Sequence, residues 1–220
     1  MMRAIPSNTG LEQLDEEDAP TDLVPGVYEG GLKLWECSCD LVAHLLSPPL
    51  SLGEPGSALE LGCGHGFPGI TLLKQGWKVT FADYNSEALR HATMPNIQAN
   101  VGADLYQNAS FYAGDWSEVS GLLKKEEEEG GQLITFDRIL TAETLYTTQV
   151  TAKVYWMIHR HLSANGEALV ASKRYYFGCG GGCMAFRDLC TTGGVLSCET
   201  VRVIDTGRDN IREILRVTWA

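Results

Sequence analysis

A chain of 220 residues suffices for one large domain with a substantial core and is short for two. Its apolar content is ordinary, no segment approaches the ~18 uninterrupted apolar residues of a membrane span, and the opening "MMRAIPSNTGLEQLDEEDAPTD" lacks the basic start and apolar stretch of a secretory signal, so a soluble protein of the cytoplasm or nucleus is expected. A formal charge of −11 argues against direct clamping of nucleic acid and suits a basic macromolecular partner, although an acidic surface also serves solubility alone.

Residues 1–30 are rich in acids, proline and glycine, with Glu12, Asp15, Glu16, Glu17 and Asp18 close together, and read as a disordered arm ahead of a domain spanning 31–220. "GLKLWECSCDLVAHLLS" then places Leu34, Trp35, Leu41, Val42, Leu45 and Leu46 at near-helical spacing, and Pro48 and Pro49 stop it. This predicts an amphipathic leading helix. From residue 57, short apolar runs alternate with helix-like segments: "ALEL" then 67–75, "KVTFA" then 85–92, "SFYA" then 116–124, "FDRILTA" then 147–161, "EALVAS" then 182–191. Five such alternations predict a parallel sheet with helices on both faces. The run from Lys124 to Glu129 reads as a charged helix end or loop. "ETVRVI" and "IREILRVTWA" flank turn chemistry at 205–209 and predict a hairpin, so the sheet should end with an antiparallel strand.

The seven cysteines, at 37, 39, 63, 179, 183, 190 and 198, are an odd number scattered among apolar segments and read as reduced thiols. Neither Cys37-x-Cys39 nor Cys179-x3-Cys183 has the paired C-x2-C spacing of a zinc site, so no metal is expected.

The stretch "LELGCGHGFPG", 59–69, joins the first predicted strand to its helix. Read from Gly64 it satisfies G-x-G-x-x-G, the dinucleotide fingerprint; read from Gly62 it is G-x-G-x-G with an acid, Glu60, two residues ahead. Helix N-terminal N–H groups suit an anionic pyrophosphate, which a carboxylate beside them would repel. Glu60 is expected instead to meet a cationic group such as the methionyl ammonium of S-adenosylmethionine, unless it is paired within the protein. Asp83, in "FADYN" at the end of the second strand, is placed to accept both hydroxyls of an adenosine ribose, a feature of either cofactor class. In "GDW", 114–116, Asp115 is placed to accept the adenine amino hydrogens and Trp116 to stack, although a plain turn and a core tryptophan read the same way. The order of these motifs on one sheet edge, with the C-terminal hairpin, favours S-adenosylmethionine and methyl transfer over NAD and hydride transfer.

Together with "LKLWEC", "DYN", "LTAETLY" and "SKRYYFGCGGG", these residues give the chain from about Gly31 onward a pattern that resembles the histidine protein methyltransferases. That family is a branch of the seven-β-strand protein methyltransferases, whose other members methylate lysines. The resemblance implies an α/β class I methyltransferase fold: a Rossmann-like seven-stranded sheet, mostly parallel, with an antiparallel C-terminal hairpin strand and helices on both faces. It implies that Leu34, Trp35, Glu36 and Cys37 close over S-adenosylmethionine, and that Gly62, Asp83, Tyr84, Asn85, Gly114, Asp115, Trp116 and Ala142 complete its site beside Glu60 and Gly64 of the glycine loop. For Trp35, packing on an apolar helix face is the plainer alternative.

"ETLY", 143–146, matches the acid-x-x-aromatic motif of that branch and makes Glu143 and Tyr146 the implied catalytic pair, the acid orienting an incoming nitrogen and the aromatic walling its channel or supplying a hydroxyl. A helix N-terminal acid is the alternative. "RYYFGCGGGCMAF", 174–186, resembles the histidine branch more than the lysine branch and offers Tyr175, Tyr176, Phe177 and Gly180 for substrate, with a purely structural glycine loop as the other reading. Cys179 and Cys183 depart from the branch's pattern there and bear on target specificity. The implied activity is methylation of a histidine nitrogen in a basic protein, in this branch a large-subunit ribosomal protein, by a monomer with no membrane and no direct nucleic-acid partner. A lysine acceptor and a non-catalytic S-adenosylmethionine-binding scaffold are the alternatives.

Overall fold

The computed structural model describes residues 2–4, 29–47, 53–130, 134–207 and 210–220. Most of the predicted arm over 1–30, and the prolines at 48 and 49, therefore lie outside the described residues. Of that arm, Met2–Ala4 is a short strand, β1, while Glu29 and Gly30 lie beside the site described below. Helix α1 (Glu36–Leu45) follows the predicted spacing and buries Cys37, Leu41 and Leu45.

Strand β2 (Ser57–Leu61), helix α2 (Phe67–Leu73) and strand β3 (Lys78–Asp83) match the first two alternations. The next helix was predicted to end near 92 and instead continues. Helix α3 (Ser86–Ala88) passes through a π turn at Leu89–Thr93 into α4 (Met94–Asn100), with α5 (Ala103–Tyr106) after it. Pro95 has no N–H to give and its ring would crowd the carbonyl four residues back, so a widened turn just before it lets the helix run on.

Strand β4 (Ala109–Ala113) leads to α6 (Trp116–Gly130), which absorbs the charged run because lysine and glutamate form helix readily and Lys124 pairs with Glu128 one turn on at 3.9 Å. Then come β5 (Phe136–Ala142), α7 (Thr148–His161), β6 (Leu162–Lys173), α8 (Cys183–Gly193), β7 (Leu196–Ile204) and β8 (Arg212–Trp219). The Thr147 side chain starts α7 by accepting the Val150 N–H at 3.2 Å.

The sheet order is β1-β4-β3-β2-β5-β6-β8-β7. Every pairing is parallel except β6 with β8 and β8 with β7. Strands β2 to β8 are thus the predicted seven-stranded sheet with its antiparallel hairpin, and β1 extends one edge beside β4. Alternation along the strands splits the core between the two faces. Leu59, Leu61, Ile139, Val170 and Leu215 pack with α6, α7 and α8, whereas Ala58, Phe81, Leu140 and Leu169 pack with α1, α2 and α4. The order reverses at β2, flanked by β3 on one side and β5 on the other, and the helices that follow these strands leave to opposite faces. A crevice must open beyond the carboxyl ends of β2 and β5.

Ile139 sits mid-strand in the centre of this sheet and is fully buried. Ile139→Ala should lower the unfolding free energy by roughly 3 kcal/mol without changing the denaturant slope, as measured by urea titration followed by circular dichroism.

Candidate active site

The crevice is a cavity of about 310 Å³. Its floor is the turn between β2 and α2. Gly64 has φ +49, and a Cβ there would meet the Gly31 carbonyl oxygen at 2.9 Å, so glycine at this point lets the turn and the backbone at Gly31 approach each other. The Gly64 N–H donates to Asp83 Oδ2 at 2.9 Å and the Asn85 N–H to Oδ1 at 3.1 Å. Burial pushes the Asp83 carboxyl up to about 6, against the pull of those hydrogen bonds. The Tyr84 N–H also reaches this carboxylate, and Asp83 lines the cavity with acceptor capacity left for a ligand hydroxyl.

Gly62, Tyr84, Asp115, Trp116 and Ala142 also line the cavity, as the sequence leads one to expect. Asp115 is less free than the motif implied. Its Oδ1 accepts from Ser117 N and Oγ at 2.9 and 2.7 Å, and its Oδ2 pairs with Lys153 of α7. Burial raises its carboxyl, but these partners outweigh burial and hold it below the usual range. Lys153 itself lines the cavity and was missed. A lysine on an amphipathic helix reads as solvated, and nothing in its spacing marked it.

Glu60 is corrected by the structure. It does not line the cavity; it is 3% exposed, and its Oε2 accepts the Gly69 N–H at 2.9 Å. Strand alternation explains this: Leu59 and Leu61 face α6 to α8, so Glu60 must face α2, where it meets an N–H of the first helical turn. A Cβ on Gly69 would come within 2.5 Å of that oxygen, so this glycine lets helix and carboxylate meet. Burial pushes Glu60 up to about 8, and the charge of Asp83 adds to the rise.

Leu34 and Trp35 line the cavity, but Glu36 and Cys37 do not. The helix begins at Glu36, and its 100° steps turn Glu36 to solvent and Cys37 into the core. Asn85 and Gly114 also lie behind the cavity wall. Asn85 Oδ1 accepts the Glu29 N–H at 3.0 Å, and the Gly114 N–H donates to the Asp83 carbonyl at 3.0 Å. They brace the site.

Residues 29–35 cross the cleft as a strap. The Leu32 carbonyl meets His65 Nε2 at 3.0 Å, the Trp35 indole N–H donates to the Gly30 carbonyl at 3.0 Å, and Tyr146 donates its hydroxyl to Glu29 Oε2. Burial, then Glu29, pushes the Tyr146 phenol well up. Tyr146 lines the cavity, but its hydroxyl is committed to the strap and does not face Glu143. Glu29, Gly30 and Gly31 were assigned to the arm or its boundary, where the composition carried no periodic signal.

Glu143 is 8% exposed and lines the cavity. Its Oε2 accepts the Tyr176 hydroxyl and lies 3.8 Å from Lys173 Nζ, whereas Oε1 is buried and finds no hydrogen-bond partner in good geometry among the described residues. The Cys37 thiol is pushed far up by burial and then by this neighbouring carboxylate. Of the four residues offered for substrate, Tyr176 reaches the site through Glu143, and Gly180 bridges to the Thr147 backbone. Tyr175 and Phe177 are 48% and 81% exposed and stand outside the cavity, because the loop turns on Gly178, Gly180 and Gly182, all at positive φ. Among the described residues no cluster of His, Cys, Asp and Glu could hold a metal ion, and no helix is long and apolar enough to cross a membrane.

The sequence pattern of the family described as "Methyltransferase domain" matches residues 54–177. The chain is 46% identical over 198 residues to a Dictyostelium discoideum protein named "Histidine protein methyltransferase 1 homolog", covering 90% of this chain and 60% of that protein. It is 35% identical over 209 residues to a Rattus norvegicus protein of the same name, covering 85% of this chain and 56% of that protein. The chain therefore spans somewhat more than half the length of these relatives. The crystal structure of a TehB-like SAM-dependent methyltransferase from Corynebacterium glutamicum superposes with a TM-score of 0.54 at 19% identity, covering 84% of this chain and 88% of that one, a likeness of fold.

The buried Glu60 makes stability depend on pH. Its carboxyl ionises near 4.5 in the unfolded chain and near 8 when folded, so between those values the folded protein holds a proton that the unfolded chain has released. Stability should fall as pH rises through that window. Glu60→Gln keeps an acceptor for Gly69 and removes the ionisation. Urea unfolding at a series of pH values should show the variant gaining on the parent as pH rises, and parallel curves would refute the assignment.

Proposed function

The chain belongs to the methyltransferase-domain family, and on that premise we propose that it methylates a histidine imidazole nitrogen of a protein, with S-adenosylmethionine as donor. When bound, S-adenosylmethionine supplies an electrophilic sulfonium methyl. The cleft's residues suit it. Asp83 lines the cleft with acceptor capacity for a ribose hydroxyl, and the Gly62 to Gly64 turn forms the floor beside it. Trp116 and Tyr84 offer aromatic surface, Asp115 the adenine contact, and Leu34, Trp35 and Ala142 close the walls.

One observation carries the choice of reaction: Glu143 Oε1, a buried acceptor with no well-formed hydrogen bond among the described residues, at a cleft whose other end suits an adenosine. Such an atom calls for a donor from outside the chain. A neutral imidazole provides one, because it carries an N–H on one nitrogen and a lone pair on the other. With the N–H held by Glu143, the second nitrogen's lone pair points away along the ring. Histidine is mostly neutral at pH 7, so orientation matters more than base strength, and the carboxylate also stabilises the positive charge that the ring acquires. A lysine ammonium would first have to lose a proton. The names of the two relatives favour histidine as well.

A charge of −11 favours a basic protein as substrate, and we place large-subunit ribosomal proteins first. The same reading takes the enzyme as a monomer of the cytoplasm or nucleus. Incubation with labelled S-adenosylmethionine and ribosomal or whole-cell protein, then mass spectrometry of the modified residue, tests it. Label on lysine alone overturns the histidine acceptor. Cofactor binding without product on any extract favours a scaffold, and binding of NADH with none of S-adenosylhomocysteine overturns the cofactor.

Glu143→Gln should lower turnover on a verified substrate by about 10²-fold while the dissociation constant for S-adenosylhomocysteine, from calorimetry, stays within about twofold. Full turnover in the variant would remove Glu143 from the mechanism.

A further inference from the structure

The two oxygens of Glu143 are chemically equivalent, and in a mobile side chain either could face the cleft. Here the two strong partners of the carboxylate, a hydroxyl and an ammonium, both meet Oε2. The Tyr176 hydroxyl donates to it, and Lys173 Nζ lies 3.8 Å away. Tyr176 is fixed in turn, its hydroxyl 3.2 Å from Ser172 Oγ and its ring 5.5 Å from the Lys173 ammonium. The backbone is fixed as well: Glu143 is the one non-glycine residue with positive φ among the described residues, at +58, and its N–H donates to the Ala171 carbonyl at 2.9 Å. Cys37, packed on the remaining side from α1, reaches this carboxylate only as a weak thiol donor, and Oε1 keeps no hydrogen-bond partner in good geometry among the described residues.

We propose that Tyr176 and Lys173 are positioning residues that clamp one oxygen of Glu143 so that the other is presented, already oriented, to the N–H of the methyl acceptor. The inference rests on the methyl-transfer reading above. Strand β6 runs parallel to β5 with Ala171 opposite Ala142, so Ser172, Lys173 and Tyr176 emerge level with Glu143. Burial and the adjacent carboxylate both push the Tyr176 phenol well above its ordinary range, which keeps it a donor and excludes it as the base. The Lys173 ammonium also lies 5.6 Å from the Trp35 ring, so the strap residue over the cleft and the clamped carboxylate share one cation. Fixing a rotor before the acceptor arrives removes an ordering cost from the encounter.

A mutant cycle separates positioning from substrate contact. Tyr176→Phe should lower kcat about tenfold with little change in KM for the protein acceptor or in cofactor affinity. The double variant Tyr176→Phe with Glu143→Gln should be no slower than Glu143→Gln alone, since Tyr176 acts through Glu143. Multiplying losses would mean that Tyr176 contributes independently, and would overturn the proposal. Lys173→Met should behave like Tyr176→Phe and Lys173→Arg should restore most of the rate; an arginine variant as slow as the methionine one would remove the charge from the clamp. A readout without turnover distinguishes the clamp from the reaction. Infrared difference spectra of the parent minus Glu143→Gln isolate the Glu143 carboxylate stretch, which should shift in both Tyr176→Phe and Lys173→Met. An unmoved band overturns the clamp whatever the activity, whereas a shifted band in a protein that methylates nothing overturns the methyl-transfer reading alone.

Discussion

The hydrogen bond from the Gly64 N–H to the Asp83 carboxylate, 2.9 Å long, ties the turn after β2 to the end of β3, and the cleft takes its shape from it. Two parallel strands with helices leaving to opposite faces open a crevice, but the crevice has a defined floor only if the glycine turn is held. Asp83 holds it with one oxygen and holds Asn85 with the other. Asn85 then receives the Glu29 N–H, so one buried carboxylate organises the turn, the residues after β3 and the start of the strap.

Four buried carboxylates lie near this edge of the sheet, and their surroundings give each a different task. Glu60 has a helix N–H and no cation, and burial raises its carboxyl towards neutrality. Asp83 accepts the N–H groups of Gly64, Asn85 and Tyr84 and faces the cleft. Glu213, on the antiparallel strand β8, pairs with Arg174 and Arg187 at 2.5 Å each, which pins the glycine loop and α8 to the sheet. Of the four, Glu143 is the one with a buried oxygen that finds no hydrogen-bond partner in good geometry among the described residues. The hairpin that distinguished this sheet in the sequence thus also braces the loop from which Tyr176 reaches Glu143.

Among the readings that changed between sequence and structure, those for Glu60, Tyr146 and the strap each changed for a local reason. Glu60 was expected to meet a cationic ligand, but strand alternation sends it under α2. Tyr146 was paired with Glu143 through the spacing of "ETLY". With Glu143 at φ +58 the backbone turns between them, and Tyr146 bonds to Glu29 across the cleft while Tyr176 takes the place beside the acid. The strap over 29–35 was divided between an arm and a helix, although its contacts to His65, Asn85 and Tyr146 make it one wall of the site.

Periodicity, the order of glycine and acidic motifs, and turn chemistry determined the alternating architecture, the antiparallel ending, and the places of Gly62, Gly64, Asp83 and Trp116 at one sheet edge, because these are local properties of the chain, while the family resemblance of "ETLY" marked Glu143. Tertiary structure decided which carboxylate faces the ligand, that Lys153 and Glu29 line the cleft, and that Tyr176 and Lys173 grip Glu143. Those partners are separated by some thirty to more than a hundred residues: Tyr176 lies 33 positions from Glu143, and Glu29 lies 117 from Tyr146. Motif spacing encodes neither the side of a strand on which helices close nor the distance between atoms from different elements; packing sets both.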